Sequence, residues 1–343
     1  AVKLAAHKNV LRFALRIAWW AALALVLLAA GALAYLSFAF DPNGLKPKIA
    51  TWMQSNYQRQ LTITGDIRLK WWPSAHLDVS GVALSQPNSA APFASLRRGL
   101  VTLRLGPLLR KQVSVDALTL EGLSLDVQRF ADGRWSIDDL LGRQGNSTLQ
   151  IDVASLVLRD ASLNVHDTAS GRHWRVSELQ ITAGPIALEM PGEMTASLAL
   201  VDELAGARVN VSITNKFLAR AQPAAFEASR LDVRVSGQVS DVAVEQLQLS
   251  AGSLRHAGEN WELRDARLTG RGMRGPEQLA LQADCTQFGY AGEQWRAGGI
   301  RAQLTRELPQ TEKQLLAKQQ LNLSLDALQG SAKEVTAPAS KLA

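Results

Sequence analysis

The chain has 343 residues, a formal net charge of +6 and a single cysteine. That length suits one large domain or two ordinary ones, and one cysteine excludes an internal disulfide. Lys and Arg are scattered among apolar positions with no basic block standing alone, so the charge reads as a solvated surface with a mild attraction for anionic lipid headgroups, and no nucleic-acid partner is expected.

In chain order, residues 1–16 form a basic tail with Lys3, Lys8, Arg12 and Arg16 and no acid. Ile17 to Phe40 follows as 24 residues without a charge. A helix needs about 20 apolar residues to cross a bilayer core, so 17–40 is expected to be a single transmembrane helix. The positive excess before it predicts a cytoplasmic N-terminus and an exported body. The rival reading is a cleaved signal peptide, whose apolar core is about 7–15 residues. Ala32-Leu33-Ala34 has the small residues of a cleavage site, but the apolar run continues to Phe40, which favours a retained anchor.

Residues 41–60 read as a linker and a short amphipathic helix. Asp41-Pro42-Asn43-Gly44 is a turn cluster that ends the membrane helix, and Pro47 suits a first helical turn. Ile49, Trp52, Met53 and Tyr57 then recur at spacings of three and four. This helix either lies on the membrane surface or caps the end of a sheet.

From Leu61 the period becomes two. Leu61 to Lys70 alternates apolar with polar and stops at Trp71-Trp72-Pro73, and Leu77 to Ser85 continues in the same style. Alternation bounded by Gly, Pro and Ser predicts half-buried antiparallel strands. Gln86 to Pro92 reads as a loop, and Arg98 to Leu105 and Val113 to Val127 as strands. Residues 61–328 form one β-structured body. Within it, Phe217 to Arg230 reads as a loop or a helical turn. Residues 329–343 are small and polar, a segment either disordered alone or cut from a longer chain.

The body repeats itself. Val113, Val115, Leu118, Leu120, Leu125 and Val127 align with Ile151, Val153, Leu156, Leu158, Leu163 and Val165, 38 residues on. Both copies slip phase after the second apolar residue, as a β-bulge would produce. Gly258-Glu259-Asn260-Trp261 recurs as Gly292-Glu293-Gln294-Trp295. Such periods mean stacked supersecondary units, here expected to be β-meanders closed by a Gly-containing turn.

Catalytic patterns are absent: there is no G-x-S-x-G, P-loop or H-E-x-x-H. His166-Asp167 with His173 is the one suggestive cluster, but it falls in an expected hairpin turn and lacks a third ligand. Asp138-Asp139 reads as a helix cap or solvated turn rather than an acid–base pair, Trp71-Trp72 as a corner rather than a stacking platform, and Cys285 as a small buried hydrophobe. No catalytic residue, cofactor or metal is expected, and the chain is not read as an enzyme.

The segment from about residue 10 to 165 resembles the N-terminal part of the AsmA family, bacterial envelope proteins related to the long lipid-bridging TamB and YhdP proteins. The resemblance rests on the basic tail, the membrane helix, Asp41-Pro42-Asn43, and a strand with central Gly65 running into Trp72-Pro73 and then Leu77, Val79, Val82 and Leu84. The stretch from Pro107 through Val127 is similar as well. The resemblance implies a long, curved antiparallel sheet with an apolar inner groove, rising from the inner membrane into the periplasm. It also implies phospholipid movement and outer-membrane biogenesis. On that reading the twelve repeat residues, Val113 to Val127 and Ile151 to Val165 as aligned above, are the lipid-groove candidates. The partners are the membrane, phospholipid acyl chains and a periplasmic or outer-membrane protein. Two alternatives stay open: an anchored scaffold or chaperone using exposed strand edges, and an enzyme whose active site lies outside these residues.

Overall fold

A computed structural model describes residues 41–70, 74–104, 106, 114–141, 152–221, 224–292, 294–308, 318–331 and 335–336. The basic tail, the 17–40 membrane helix, the Trp71-Trp72-Pro73 corner, Val113 and Ile151 lie outside the described residues. No helix among the described residues is long and apolar enough to cross a membrane.

The Asp41 side chain accepts the Asn43 N–H at 2.9 Å and starts a 3₁₀ turn, Pro42–Leu45, that runs into α1, Lys46–Tyr57. This helix touches the first strand yet buries no residue; Trp52 is 53% exposed. It therefore does not seal the sheet end by burying an apolar face.

The remainder is strand. β1 (Leu61–Ile63), β2 (Ile67–Lys70), β3 (Ala75–Ser85), β4 (Pro92–Leu103) and β5 (Ser114–Arg129) are followed by β6 (Asp152–Val153), β7 (Leu156–Asp167), β8 (Arg172–Gly184) and β9 (Gly192–Asp202). Then come β10 (Ala207–Ala221), β11 (Ala224–Val239), β12 (Val242–Ala257), β13 (Asn260–Arg274), β14 (Glu277–Ala291), β15 (Gln294–Glu307), β16 (Lys318–Ser331) and β17 (Val335–Thr336). All 17 strands belong to one curved, unclosed sheet. β1 and β2 share one edge of β3, and from β7 to β17 each strand pairs antiparallel with the next.

Five expectations are corrected. The described residues of Phe217 to Arg230 are strand, not loop or helix, because their alternation carries β10 to Ala221 and restarts β11 at Ala224. β4 begins at Pro92, six residues before the expected Arg98, and β16 reaches Ser331 inside the segment expected to be disordered. The sheet is also not wholly antiparallel. The two repeat copies are not meanders but parallel neighbours: Leu118 pairs with Leu156, Leu120 with Leu158, Leu125 with Leu163 and Val127 with Val165. The register equals the 38-residue repeat, so equivalent side chains stand beside one another. Parallel pairing needs a crossover, which begins at Phe130 and includes the helical turn Asp138–Leu141. The later repeat does form hairpins, with Ala257 opposite Asn260 and Ala291 opposite Gln294.

Residues directly opposite in a sheet share a face. Followed strand to strand, the register makes one apolar face. It runs from Val79 through Gly99, Leu120, Leu158, Ile181, Ala196, Ile213, Val233, Leu249, Leu268, Ala283 and Ala302 to Leu323. The other face carries ion pairs between neighbouring strands. Arg98 binds Asp78 through two bonds of 3.0 and 2.9 Å, Arg267 binds Asp284 at 2.6 Å, and Lys216 binds Glu193 at 2.6 Å. The hydrogen bond from Arg98, with its charge, holds the Asp78 carboxyl below its ordinary range. Exposed pairs like these add little stability, but they turn that face to water and account for charge that forms no basic patch.

Left-handed residues cross the strands in two short lines. Gly81, Gly122, Asp160 and Glu178 form one in β3, β5, β7 and β8, and Arg230, Asp265 and Gly299 the other in β11, β13 and β15, all with φ between 51° and 65°. The register puts the two lines on opposite sides of the Val79–Leu323 row: the level of Glu178 leads through Leu198, Val211, Val235 and Leu247 to Gly270, not to Asp265. The strand ladder skips each of these residues, and irregularities of this kind bend a strand and sharpen its twist. Each line of bends creases its own part of the sheet. This is why the apolar residues change phase: Leu118 and Leu120 share the inner face with Leu123 and Leu125, across Gly122. The earlier slip, after Val115, sits where the β4–β5 register shifts between Thr102 and Leu103.

Candidate functional site

The trough on the apolar side of the creases is the candidate site. Its floor is small. Among the described residues thirteen hydrophobic ones are buried, and of these Ala161 sits at the first crease and Ala228, Ala251, Ala266 and Ala297 within about two residues of the second. Its walls are larger: Leu, Val and Ile repeat at every second position above and below the creases. The elements that touch among the described residues are neighbouring strands, with helical contacts only at β1 and β2. Among the described residues no second sheet or helix is seen to cover the apolar face. A closed sandwich would interleave two such faces, whereas here one face bends toward water.

Ten of the twelve sequence-predicted groove residues are described, and the structure brings them together on this face. Val115, Val127 and Leu158 are each 8% exposed. Leu118, Leu120, Leu125, Val153, Leu156, Leu163 and Val165 are half-buried. The trough is tightest at these parallel strands and opens toward β16, where Leu304 and Leu321 are 43% and 66% exposed. Sequence reasoning singled out only the repeat; the same face continues over β8 to β16, where periodicity was the available signal.

The suspected chemistry does not assemble. His166 and His173 are opposed in the β7–β8 hairpin with ring centroids 5.7 Å apart. Asp167 beside them is a turn cap: it accepts the N–H groups of Ala169 and Ser170 at 2.9 and 3.3 Å, and Arg129 donates to it at 3.3 Å. No group of three His, Cys, Asp or Glu among the described residues is placed to hold a metal. Cys285 is half-buried on the apolar face between Ala266 and Ile300. Of the acidic pair, Asp138 accepts the Trp135 N–H at 2.7 Å as a cap.

Asp139 has a partner that sequence reasoning missed. Arg59, between α1 and β1, is fully buried. Its Nε and Nη2 donate to the two Asp139 oxygens at 2.8 and 2.7 Å. Nη1 and Nη2 also donate to the carbonyls of Ser85 and Ser136 at 3.0 and 2.5 Å. The guanidinium lies 4.2 Å from the Phe93 ring centroid. This cluster ties the crossover to β3 and β4 at one rim of the trough. A lone Arg in a polar segment carries no sequence signal of such burial.

Two glycines of the noted segment meet across the β1–β3 edge. A Cβ on Gly65 would lie 2.2 Å from Ser80 Oγ and 2.6 Å from its carbonyl oxygen. Gly81, with φ +64°, packs against Thr64. No similar sequence was found among curated proteins. The family model described as "AsmA family" matches residues 11–336, nearly the whole chain. By that match, over a single sheet of the expected style, the chain belongs to the AsmA family.

Proposed function

We propose that this protein is an inner-membrane-anchored periplasmic conduit, whose trough holds phospholipid acyl chains on their way between the inner and outer membranes. The observation that carries this reading is the continuous apolar face with no protein layer over it. Unsupported, such a face costs about 25 cal/mol for each Å² left in water; an acyl chain removes that cost and its own, at about 0.8 kcal/mol per buried CH₂. The apolar row crosses thirteen strands from β3 to β16, and their twelve spacings of about 4.8 Å make the trough about 58 Å long. That is about twice the hydrocarbon thickness of a bilayer. Small floor residues leave room for chains, and the water-facing outer surface suits an aqueous compartment. The exposed Ile49 and Trp52 of α1, directly after the 17–40 segment, suit a helix resting on the membrane surface. Membrane-family membership and a long β-sheet fit envelope biogenesis. The trough lowers the cost of passage and supplies no direction.

The test is the lipid content of the full-length protein extracted in mild detergent. Phospholipid retained through purification, detected by mass spectrometry and lost when the trough is made charged, is the expected result. Lipid-free protein at full β-content would sink the proposal. A second reading, an assembly scaffold, is favoured by one observation: among the described residues the outer edge of β16 is paired only at Gln329 and Gly330. The rest of that edge offers backbone groups for strand addition. A lipid-free protein that captures an extended segment along β16 would support it.

A further inference from the structure

The two walls of the trough end differently. On β11 to β15 one rim carries Phe226, His256, Trp261, Tyr290 and Trp295, each directly opposite the next across five strands. The register puts all five on the apolar face. His256 stacks on Trp261 with centroids 4.2 Å apart. Phe226, Trp261 and Tyr290 are 38%, 42% and 42% exposed, high values for large rings that end a row of half-buried leucines. The Nδ1 of His256 is buried without a hydrogen-bond partner. The charged neighbours of the row, Arg255, Glu262 and Arg296, fall on the outer face by the same register.

At the other rim the same apolar face ends in charges that neutralise one another. Arg274 binds Asp241, and Arg306 binds Glu277. On the apolar face one rim thus ends in amphipathic rings and the other in closed ion pairs.

The distances also differ. From the second crease to the aromatic row is four residues on each of three strands: Asp265 to Trp261, Thr286 to Tyr290 and Gly299 to Trp295. At about 3.3 Å per residue that wall is about 13 Å deep, close to the roughly 15 Å of one leaflet, half of a hydrocarbon core of about 30 Å. From Asp265 to Arg274 is nine residues, about 30 Å, twice what one leaflet's chains span. Trp and Tyr favour the level where apolar chains meet polar headgroups, since each ring is apolar with one polar handle.

Resting on the conduit reading above, we infer that the Phe226–Trp295 row is the headgroup rim. Phospholipids lie with headgroups at the level of the rings, glycerol backbones against them, and acyl chains running down the short wall to the alanine floor. The lipids then move in file with one orientation, heads along a single rim.

The experiment uses the full chain in detergent with phosphatidylglycerol bearing a photoreactive diazirine, placed in the headgroup in one probe and at the acyl terminus in another. Crosslinks are mapped by mass spectrometry. The headgroup probe is expected to label residues 255–262 and 288–296, and the acyl-terminal probe residues near the second crease, 263–268 and 297–302. In Trp261→Ala with Tyr290→Ala, headgroup labelling at the rim should fall several-fold, because the rings that hold the chain–headgroup boundary are gone, with acyl-terminal labelling retained. Headgroup labelling at residues 272–279 and 304–307, or equally at both rims, would overturn the inference and leave the conduit standing. So would unchanged headgroup labelling in the double variant. No labelling of the apolar face by either probe would overturn both.

Discussion

Removing the carboxylate of Asp139 leaves a fully buried guanidinium with two carbonyls and a ring for partners, which cannot neutralise it. Breaking a buried pair in this way costs about 3–5 kcal/mol. Asp139 itself keeps 31% of its side chain in water, so its own desolvation is incomplete and water can reach part of the vacated space. That places Asp139→Ala near the lower end, about 3 kcal/mol. Replacing both partners, Arg59→Met with Asp139→Leu, leaves no unpaired charge and should cost less than the single change, although the Ser85 and Ser136 carbonyls lose a donor. The pair also carries a pH dependence. The hydrogen bond from Arg59, opposed by partial burial and aided by its charge, holds the Asp139 carboxyl below its ordinary range. A lowered folded value means the stabilisation is complete above the unfolded pKa of about 3.9 and is lost as pH falls through the folded value. Urea unfolding of wild type, Asp139→Ala and the double variant at neutral pH gives the magnitudes. Limited proteolysis shows whether residues 130–141 detach first. An Asp139→Ala protein within about 0.5 kcal/mol of wild type, the range of an ordinary surface change, would refute the reasoning.

The trough makes graded predictions. Leu158→Glu buries a charge at 8% exposure and should destabilise by several kcal/mol, at least about 3, whereas Leu304→Glu, at 43% exposure, should fold normally and retain less phospholipid; equal stability losses would point to a closed core. Gly122→Ala must hold φ at +65° with a Cβ 2.9 Å from Arg97 Cβ, and should lower the urea-derived stability by about 1–2 kcal/mol or more. Cys285→Ala, His166→Ala and His173→Ala combined should leave phospholipid retention within a few-fold of wild type; complete loss in a folded protein would reveal a missed site. A reporter fused after Asp41 should be active in the periplasm, and activity confined to the cytoplasm would contradict the proposed topology.

Local patterns were readable in the sequence because their causes are local. Side chains alternate across a strand with period two, so Leu77-Asp78-Val79 and Leu118-Thr119-Leu120 declared both a strand and its apolar side. Gly258 before Asn260-Trp261 announced a hairpin, and the phase slips in the repeat announced bulges. Partner choice is another matter, because a strand's period does not say which strand lies beside it. The 38-residue repeat is as compatible with successive meanders as with two parallel neighbours; only the fold put Leu118 beside Leu156. Arg59 became a buried anchor because Asp139, 80 positions away, arrives with two carbonyls in the same place. The creases exist because left-handed residues as unlike as Gly122 and Asp160, or Arg230 and Gly299, come to neighbouring levels once register is set. The aromatic rim likewise needed five strands in register before Phe226 and Trp295 belonged to one row. Alternation in sequence determined that this chain has an apolar face; tertiary structure decided that the face is continuous, bent and uncovered.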